Sequence, residues 1–255
     1  MTLSIVIPVY KNYILLYRCL DSLYNQTNHH FDIIIVDDTP SEFREKINIS
    51  YYCENMGITI LSNTRNMGVT YTRNKGFFYS NSKYILFLDS DDELKVNAVD
   101  IILSDIGKTK CDIYLYRCCD AVGNVVGTKM QRNEYKGVDG FLKTYKTGER
   151  LLLFKKSQYK PFLAYLRGHE LAGIMRMISK SKAISVLDTS IVIRVYNNDN
   201  SNSISVGKEL FKRMHVLIQG HILTSKILFF KGRFFYSLLF LLKAAFFKIK
   251  YNDTI

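Results

Sequence analysis

The chain has 255 residues, 47% hydrophobic and 23% charged, with three prolines and neither an internal repeat nor a low-complexity tract. These values suit one large α/β domain, or one domain with a small appendage, and exclude a disordered chain. The net charge of +12 favours an anionic partner such as nucleic acid, an anionic membrane surface or a phosphorylated substrate, yet no zinc-finger spacing, RNP-like aromatic signature or long Lys/Arg block marks a nucleic-acid binder.

The N-terminal residues lack a basic segment followed by a long apolar one, so no signal peptide is expected. They read as a strand at once: residues 3–9 are short, apolar and β-branched, and Pro8 is expected to stop further pairing. Asn12 can cap a helix carrying Leu15, Leu16, Cys19, Leu20 and Leu23 at helical spacing. A second run, Phe31 to Val36, is apolar through Ile33, Ile34, Ile35 and Val36, as for a strand buried on both faces, and ends in Asp37-Asp38-Thr39-Pro40. Strand, helix, strand predicts a parallel sheet. A third strand is expected at 58–62, and Asn66-Met67-Gly68 turns into a helix through Arg73 and Asn74. A fourth run, Tyr84 to Leu88, leads into Asp89-Ser90-Asp91-Asp92; Val99, Ile102, Leu103 and Ile106 mark a helix, and 112–117 a further strand. The pattern loosens over 120–160. Gly168-His169-Glu170 sits between apolar stretches, 189–196 reads as a strand, Asn197 to Ser203 as a polar loop, and helix is expected from Glu209 onward.

Ligands of open parallel sheets bind at the carboxyl ends of strands. Three expected strands end there in polar groups: Tyr10, Asp37-Asp38, and Asp89 to Asp92. Carboxylates two apart can share a hard cation whose charge neutralises a diphosphate leaving group. Acids after a strand also cap helices, which is an equal reading for Asp92. Asp37-Asp38 has a competing reading as a receiver-domain acid pair, but such domains are shorter and lack a downstream D-x-D strand. There is no P-loop, no G-x-G-x-x-G after the first strand and no G-x-S-x-G elbow. The five cysteines form no C-x-x-C, which argues against zinc or a redox pair and suits a reduced, cytosolic compartment.

Four blocks, Ser4-Ile-Val-Ile-Pro-Val-Tyr10, Ile35-Val-Asp-Asp-Thr39, Asn66-Met-Gly-Val-Thr-Tyr-Thr-Arg-Asn-Lys-Gly76 and Leu86-Phe-Leu-Asp-Ser-Asp-Asp-Glu93, resemble family 2 inverting glycosyltransferases, in that family's order and spacing. The resemblance is strong over 3–106, patchy over 107–205 and fades beyond. It implies a GT-A-like, Rossmann-type, mostly parallel sheet flanked by helices. It also implies roles: Pro8, Val9 and Tyr10 flank the base of a nucleotide sugar, Asp38 bonds the base's polar edge, Arg73 approaches the diphosphate, Asp89 lies near the ribose, and Asp91 binds Mn²⁺ or Mg²⁺. Glu170 occupies the place of the general base, with His169 where the family often has Glu; His169 would tune Glu170 or touch the acceptor. Tyr196 to Ser203 resembles a segment near the diphosphate, where Asp199 or Asn200 would add support.

Three parts are therefore expected: a nucleotide-sugar half (1–106), an acceptor and base half of the same domain (107–205), and a helical tail (206–255). In the tail, Phe, Leu and Ile are interspersed with Lys226, Lys231, Arg233, Lys243, Lys248 and Lys250, and the longest uncharged run is Phe234 to Leu242, too short to span a bilayer. That mixture suits a helix lying on an anionic membrane surface, with packing on the core as the alternative. The expected function is transfer of a hexose or N-acetylhexosamine, a UDP-sugar foremost, to a glycan or a lipid-diphosphate-linked acceptor in bacterial surface polysaccharide synthesis. Its expected setting is the cytoplasmic face of the membrane, without nucleic acid. A nucleotidyltransferase and a non-catalytic membrane-associated binding protein are the alternatives.

Overall fold

The structure is a computed structural model and describes residues 1–54, 56–127, 132–144, 148–167, 169–180, 183–196 and 213–252. The first half runs β1 (Leu3–Val9), α1 (Tyr13–Tyr24), β2 (Phe31–Asp37), β3 (Gly57–Ser62), α2 (Val69–Tyr79), β4 (Tyr84–Phe87), β5 (Glu93–Leu94) and α3 (Ala98–Thr109). The second runs β6 (Ile113–Cys119), β7 (Asn133–Lys136), α4 (Gly137–Thr144), β8 (Arg150–Lys155), α5 (Glu170–Ile178) and β9 (Ser185–Val195). A helical hairpin follows, α6 (Met214–Phe230) and α7 (Phe234–Asn252).

One mixed sheet crosses both halves in the order β3-β2-β1-β4-β8-β6-β9-β5. Strands β3, β2, β1 and β4 are mutually parallel, as the βα pattern predicts. Beyond β4 the direction changes: β8 is antiparallel to both β4 and β6, β6 and β9 run parallel, and β5 and β7 pair antiparallel with β9. The all-parallel part is thus β3, β2, β1 and β4, where α1 joins β1 to β2 and α2 joins β3 to β4.

Successive strand side chains point to opposite faces, so each buried strand feeds two cores. Leu3, Ile5, Ile7, Ile33, Ile35 and Leu86 pack with α1 and α3. Val6, Ile34, Val36, Ile85 and Phe87 pack on the other face, with Phe77 of α2, Met175 of α5, Leu228 of α6 and Phe240 of α7. Asn12 caps α1 as expected, its side chain accepting from the Leu15 N–H at 3.4 Å.

Pro8 does not end β1. The strand continues to Val9, with Pro8 opposite Val36 and Val9 opposite Asp37. Val6 C=O accepts from Leu88 N–H on the β4 side, whereas Val9 C=O accepts from Asp38 N–H on the β2 side. Pro8, two residues from Val6, therefore faces β4 where that strand's pairing has ended at Phe87, and its missing N–H costs no ladder bond.

The loosely patterned stretch holds β7, α4 and β8. Edge strand β7 is polar and largely exposed (Asn133-Glu134-Tyr135-Lys136), so it lacks an apolar alternation. Gly168 and the 197–203 segment, with Asp199 and Asn200, lie outside the described residues. Among the described residues, no helix is long and apolar enough to cross a membrane.

Candidate active site

The strand ends of the parallel half gather the polar groups that the sequence singles out. Tyr10, directly after β1, is 46% exposed, while Pro8 and Val9 are buried beneath it. The next residue, Lys11, has φ +60°, its N–H donates to Thr39 Oγ1 at 2.9 Å, and its ammonium lies 5.5 Å from the Tyr10 ring and 4.3 Å from that of Phe43. An accessible aromatic face with a cation beside it is thereby fixed at the end of β1.

The two acids after β2 turn into the protein. Asp37 is fully buried and accepts from Tyr13 Oη–H and the Thr39 N–H, both at 2.9 Å. Asp38 is also buried, and both its oxygens are engaged: Oδ1 accepts from Asn63 Nδ2 at 2.9 Å and the Met67 N–H at 2.7 Å, Oδ2 from the Gly68 N–H at 2.7 Å. This carboxylate organises the loop entering α2. Gly68 is required there: its φ is +89°, and a Cβ would come within 2.8 Å of the Arg167 side chain.

The acids after β4 behave differently. A turn closed by Asp92 N–H donating to Asp89 C=O at 3.1 Å brings ligand oxygens of Asp89, Asp91 and Asp92 within 4.8 Å of one another. Asp89 and Asp91 are partly exposed; Asp92 is buried and ion-paired with Arg194 Nη1 at 3.0 Å. Asp92 is thus no helix cap, since Asn97 precedes α3. Arg194 reaches the turn from β9, where it pairs with Leu94 of β5, and its Nη2 also lies 3.2 Å from Glu149. Burial opposes its charge, but Asp92, Cys118, Glu149 and Asp89 outweigh burial and raise its pKa. Sequence reading missed Arg194. Its signal was an arginine inside the apolar run Ile191-Val-Ile-Arg-Val195, which must find a carboxylate if the strand is buried.

Arg73, buried on α2, joins the turn to the second half. Its two terminal nitrogens donate to Asp89 Oδ1 and to Glu170 Oε1, and its guanidinium lies 5.6 Å from the Phe162 ring. Burial works against the charge of Arg73, and the two carboxylates overcome it and push its pKa further up. At Asp89, burial raises the pKa, but the attraction and hydrogen bond of Arg73, aided by Arg194, bring it below the usual carboxylate range. Glu170 opens α5, where a carboxylate also meets the positive end of the helix. Asp89 and Glu170, 81 positions apart in sequence, therefore share one guanidinium.

His169 goes elsewhere. Its ring is buried, with Nε2 3.4 Å from Nδ1 of His221 on α6. It lies so close over Gly220 that a Cβ there would meet its ring at 2.3 Å. Burial lowers the pKa of both histidines to about 4.

An all-oxygen donor set of clustered carboxylates suits a hard divalent cation such as Mg²⁺ or Mn²⁺. With Asp92 taken by Arg194 and one oxygen of Asp89 taken by Arg73, the residue that fits best as a ligand is Asp91, with the second Asp89 oxygen beside it. A cavity of about 520 Å³ is lined by the loop after β3 and the first turns of α2, through Asn63, Arg65, Met67, Tyr71 and Lys75 among others, and not by the carboxylate turns.

A parallel β3-β2-β1-β4 half with acids at its strand ends, continued by a reversed strand, is the GT-A class of fold. S. aureus TarS (residues 1–349, in complex with UDP-GlcNAc) superposes with a TM-score of 0.68 at 15% identity, over 89% of this chain and 70% of that one. The chain belongs to glycosyltransferase family 2: the sequence profile described as Glycosyl transferase family 2 matches residues 4–183. Among curated relatives, the GalNAc(5)-diNAcBac-PP-undecaprenol beta-1,3-glucosyltransferase of Campylobacter jejuni is 23% identical over 89% of this chain and 74% of its own length. Glycosyltransferase GlyG of Streptococcus pneumoniae is 24% identical over 44% of this chain and 38% of its own. The poly(ribitol-phosphate) beta-glucosyltransferase of Bacillus spizizenii is 37% identical over 39% of this chain and 16% of its own. The match thus spans well under half of GlyG and of the Bacillus enzyme.

Proposed function

We propose that the protein is an inverting glycosyltransferase that moves a hexose or N-acetylhexosamine from a nucleotide diphosphate sugar, a UDP-sugar foremost, to a glycan or lipid-linked acceptor in bacterial surface polysaccharide synthesis. The observation that carries this reading is the Arg73 bridge. It sets the candidate base, Glu170, one guanidinium away from the carboxylate turn. The UDP-GlcNAc of the TarS complex supports a nucleotide-sugar donor, and the undecaprenol-linked substrate in the name of the Campylobacter relative supports a lipid-linked acceptor.

In this reading residues 1–106 hold the donor and 107–205 the acceptor. Tyr10, with Pro8 and Val9 beneath it, stacks on the base. Asp38 acts by holding the 63–68 loop against the base, since its oxygens already accept from that loop. Asp89 serves the ribose side, and Asp91 holds Mn²⁺ or Mg²⁺, a cation that supplies positive charge to the departing diphosphate. Arg73 orients Asp89 and Glu170 and adds a fixed positive charge where negative charge develops. Glu170 accepts the proton of the acceptor hydroxyl as that oxygen attacks the anomeric carbon and the nucleotide diphosphate leaves from the opposite face. Acceptor and enzyme meet at the cytoplasmic face of the membrane.

The test is donor turnover across common nucleotide sugars, with binding measured by calorimetry. One donor class is expected to bind and turn over. Glu170→Gln should bind it unchanged, with turnover lowered ~10²–10⁴-fold. Unimpaired turnover in that variant removes Glu170 as the base, and failure to bind any nucleotide sugar removes the transferase reading.

A further inference from the structure

The C-terminal hairpin displays an apolar face where a helix of a water-soluble domain displays a polar one. On α7, Ser237, Phe240 and Ala244 are buried against the protein. Phe235, Leu238, Leu241, Leu242, Phe246 and Ile249 are each at least half exposed. At 3.6 residues per turn these six fall in one arc of roughly 140°, and their stripe runs roughly 20 Å along the helix. The hairpin turn continues it: Phe229, Phe230 and Phe234 are exposed as well, and their rings touch one another. A contiguous apolar patch of this kind marks an interaction surface.

Charge selects the occupant. Residues 214–252 contain no Asp or Glu but six cations: Arg233, which is engaged by Asp139, and Lys226, Lys231, Lys243, Lys248 and Lys250. Helical geometry puts Lys248 on one margin of the stripe and Lys243 and Lys250 on the other. The Lys243 and Lys250 ammonium groups lie 5.2 and 5.3 Å from the Phe240 and Phe246 rings, so apolar stems run along the helix and charged heads reach its edges. A second copy of this chain would bring a facing set of cations with no acids to balance them. An anionic bilayer supplies both needs at once, an acyl boundary for the stripe and negative headgroups for its margins.

We infer that the outward face of α7, with the phenylalanine turn that precedes it, is a docking surface for an anionic lipid bilayer, on which the hairpin lies in the membrane plane. This deepens the function proposed above by giving the acceptor's membrane a place on the molecule, and it rests on that reading only for which membrane face is meant. The inner side of the same helix carries the contact towards the site. Phe240 and Phe247 of α7 flank His221 at ring distances of 5.7 and 5.5 Å, His221 touches His169, and Glu170 comes next in the chain. A bilayer against α7 therefore lies a few side-chain layers from the candidate base, where a lipid-linked acceptor can reach it.

The test is co-sedimentation of the whole chain with vesicles of phosphatidylcholine alone or mixed with phosphatidylglycerol. Binding is expected on the anionic vesicles and should weaken with salt. The triple variant Leu238→Ser, Leu242→Ser, Phe246→Ser should lose it more than tenfold; the sites are exposed, so circular dichroism should match wild type. Lys248→Gln should weaken it about fivefold. The chain has no tryptophan, so Leu242→Trp reports directly, with a blue-shifted emission expected on anionic vesicles. Equal binding to neutral vesicles, no binding, or a blue shift that grows with protein concentration without lipid each overturns the proposal, the last in favour of self-association. Donor hydrolysis without vesicles, run in parallel, separates the two claims: lost vesicle binding with hydrolysis intact overturns the docking surface alone.

Discussion

Two strands of the parallel half end in acids, and the protein uses them in opposite ways. After β2, Asp37 and Asp38 are buried and accept from Tyr13, Thr39, Asn63, Met67 and Gly68. After β4, Asp89 and Asp91 stay partly open, with their oxygens converging within 4.8 Å, and only Asp92 is drawn fully inside by Arg194. Backbone N–H donors make the difference. The loop entering α2 offers its donors to Asp38, so that carboxylate is spent on structure. The tight turn after β4 leaves Asp91 at its tip. Acids at two equivalent strand ends thus yield one loop anchor and one candidate cation site.

That contrast breaks most sharply at Asp91. Asp91→Ala should lower sugar transfer by about 10³-fold or more at saturating Mn²⁺, a loss of several kcal/mol in transition-state stabilisation, with a melting temperature close to wild type. Wild-type activity in this variant would abolish the distinction between the two turns. Arg194→Met should leave Asp92 buried without its guanidinium and cost about 3–5 kcal/mol in urea unfolding, with Arg194→Lys recovering part of it. An unchanged urea midpoint in the Met variant would mean that Asp92 is held in some other way.

Asp38→Asn keeps the shape but sets an NH₂ against backbone donors. It should destabilise by about 1–3 kcal/mol and raise the donor KM more than it lowers kcat; a pure kcat effect would move Asp38 into the chemistry. The effect absent at neutral pH concerns His169, whose ring faces the tail while its neighbour Glu170 faces the acids. The His169 and His221 pKa values lie at about 4, below the unfolded value of about 6.5. The unfolded chain therefore binds more protons between those values. The stability due to the neutral pair is complete above pH ~6.5 and is lost as pH falls towards 4, by up to about 3 kcal/mol per ring. His221→Phe should flatten that slope in thermal melts at pH 7 and pH 4.5, and an identical slope would mean the pair is not buried neutral.

Much of this was legible in the chain. Apolar runs ending in polar groups, Tyr10 after β1 and acids after β2 and β4, marked these strands, because a strand buried on both faces must be apolar throughout and its polar residues then collect at its end. Asn12 and the Asn66-Met67-Gly68 turn announced their helices through local backbone chemistry. The edge strand β7 and the polar-flanked β8 stayed hidden, since their pairing partners, not their own pattern, make them strands.

Local sequence alone therefore determined the parallel half, the acidic turn and the amphipathic character of the tail, each a matter of periodicity and capping within some 20 residues. Tertiary structure alone decided which acids face inward, that Arg194 pins Asp92, that Arg73 ties Asp89 to Glu170, that His169 turns to His221, and that the apolar stripe of α7 points outward. Those outcomes depend on which buried charge finds which partner across the sheet. Desolvation makes an unpaired buried charge so costly that the pairing is set by whatever the fold brings within reach.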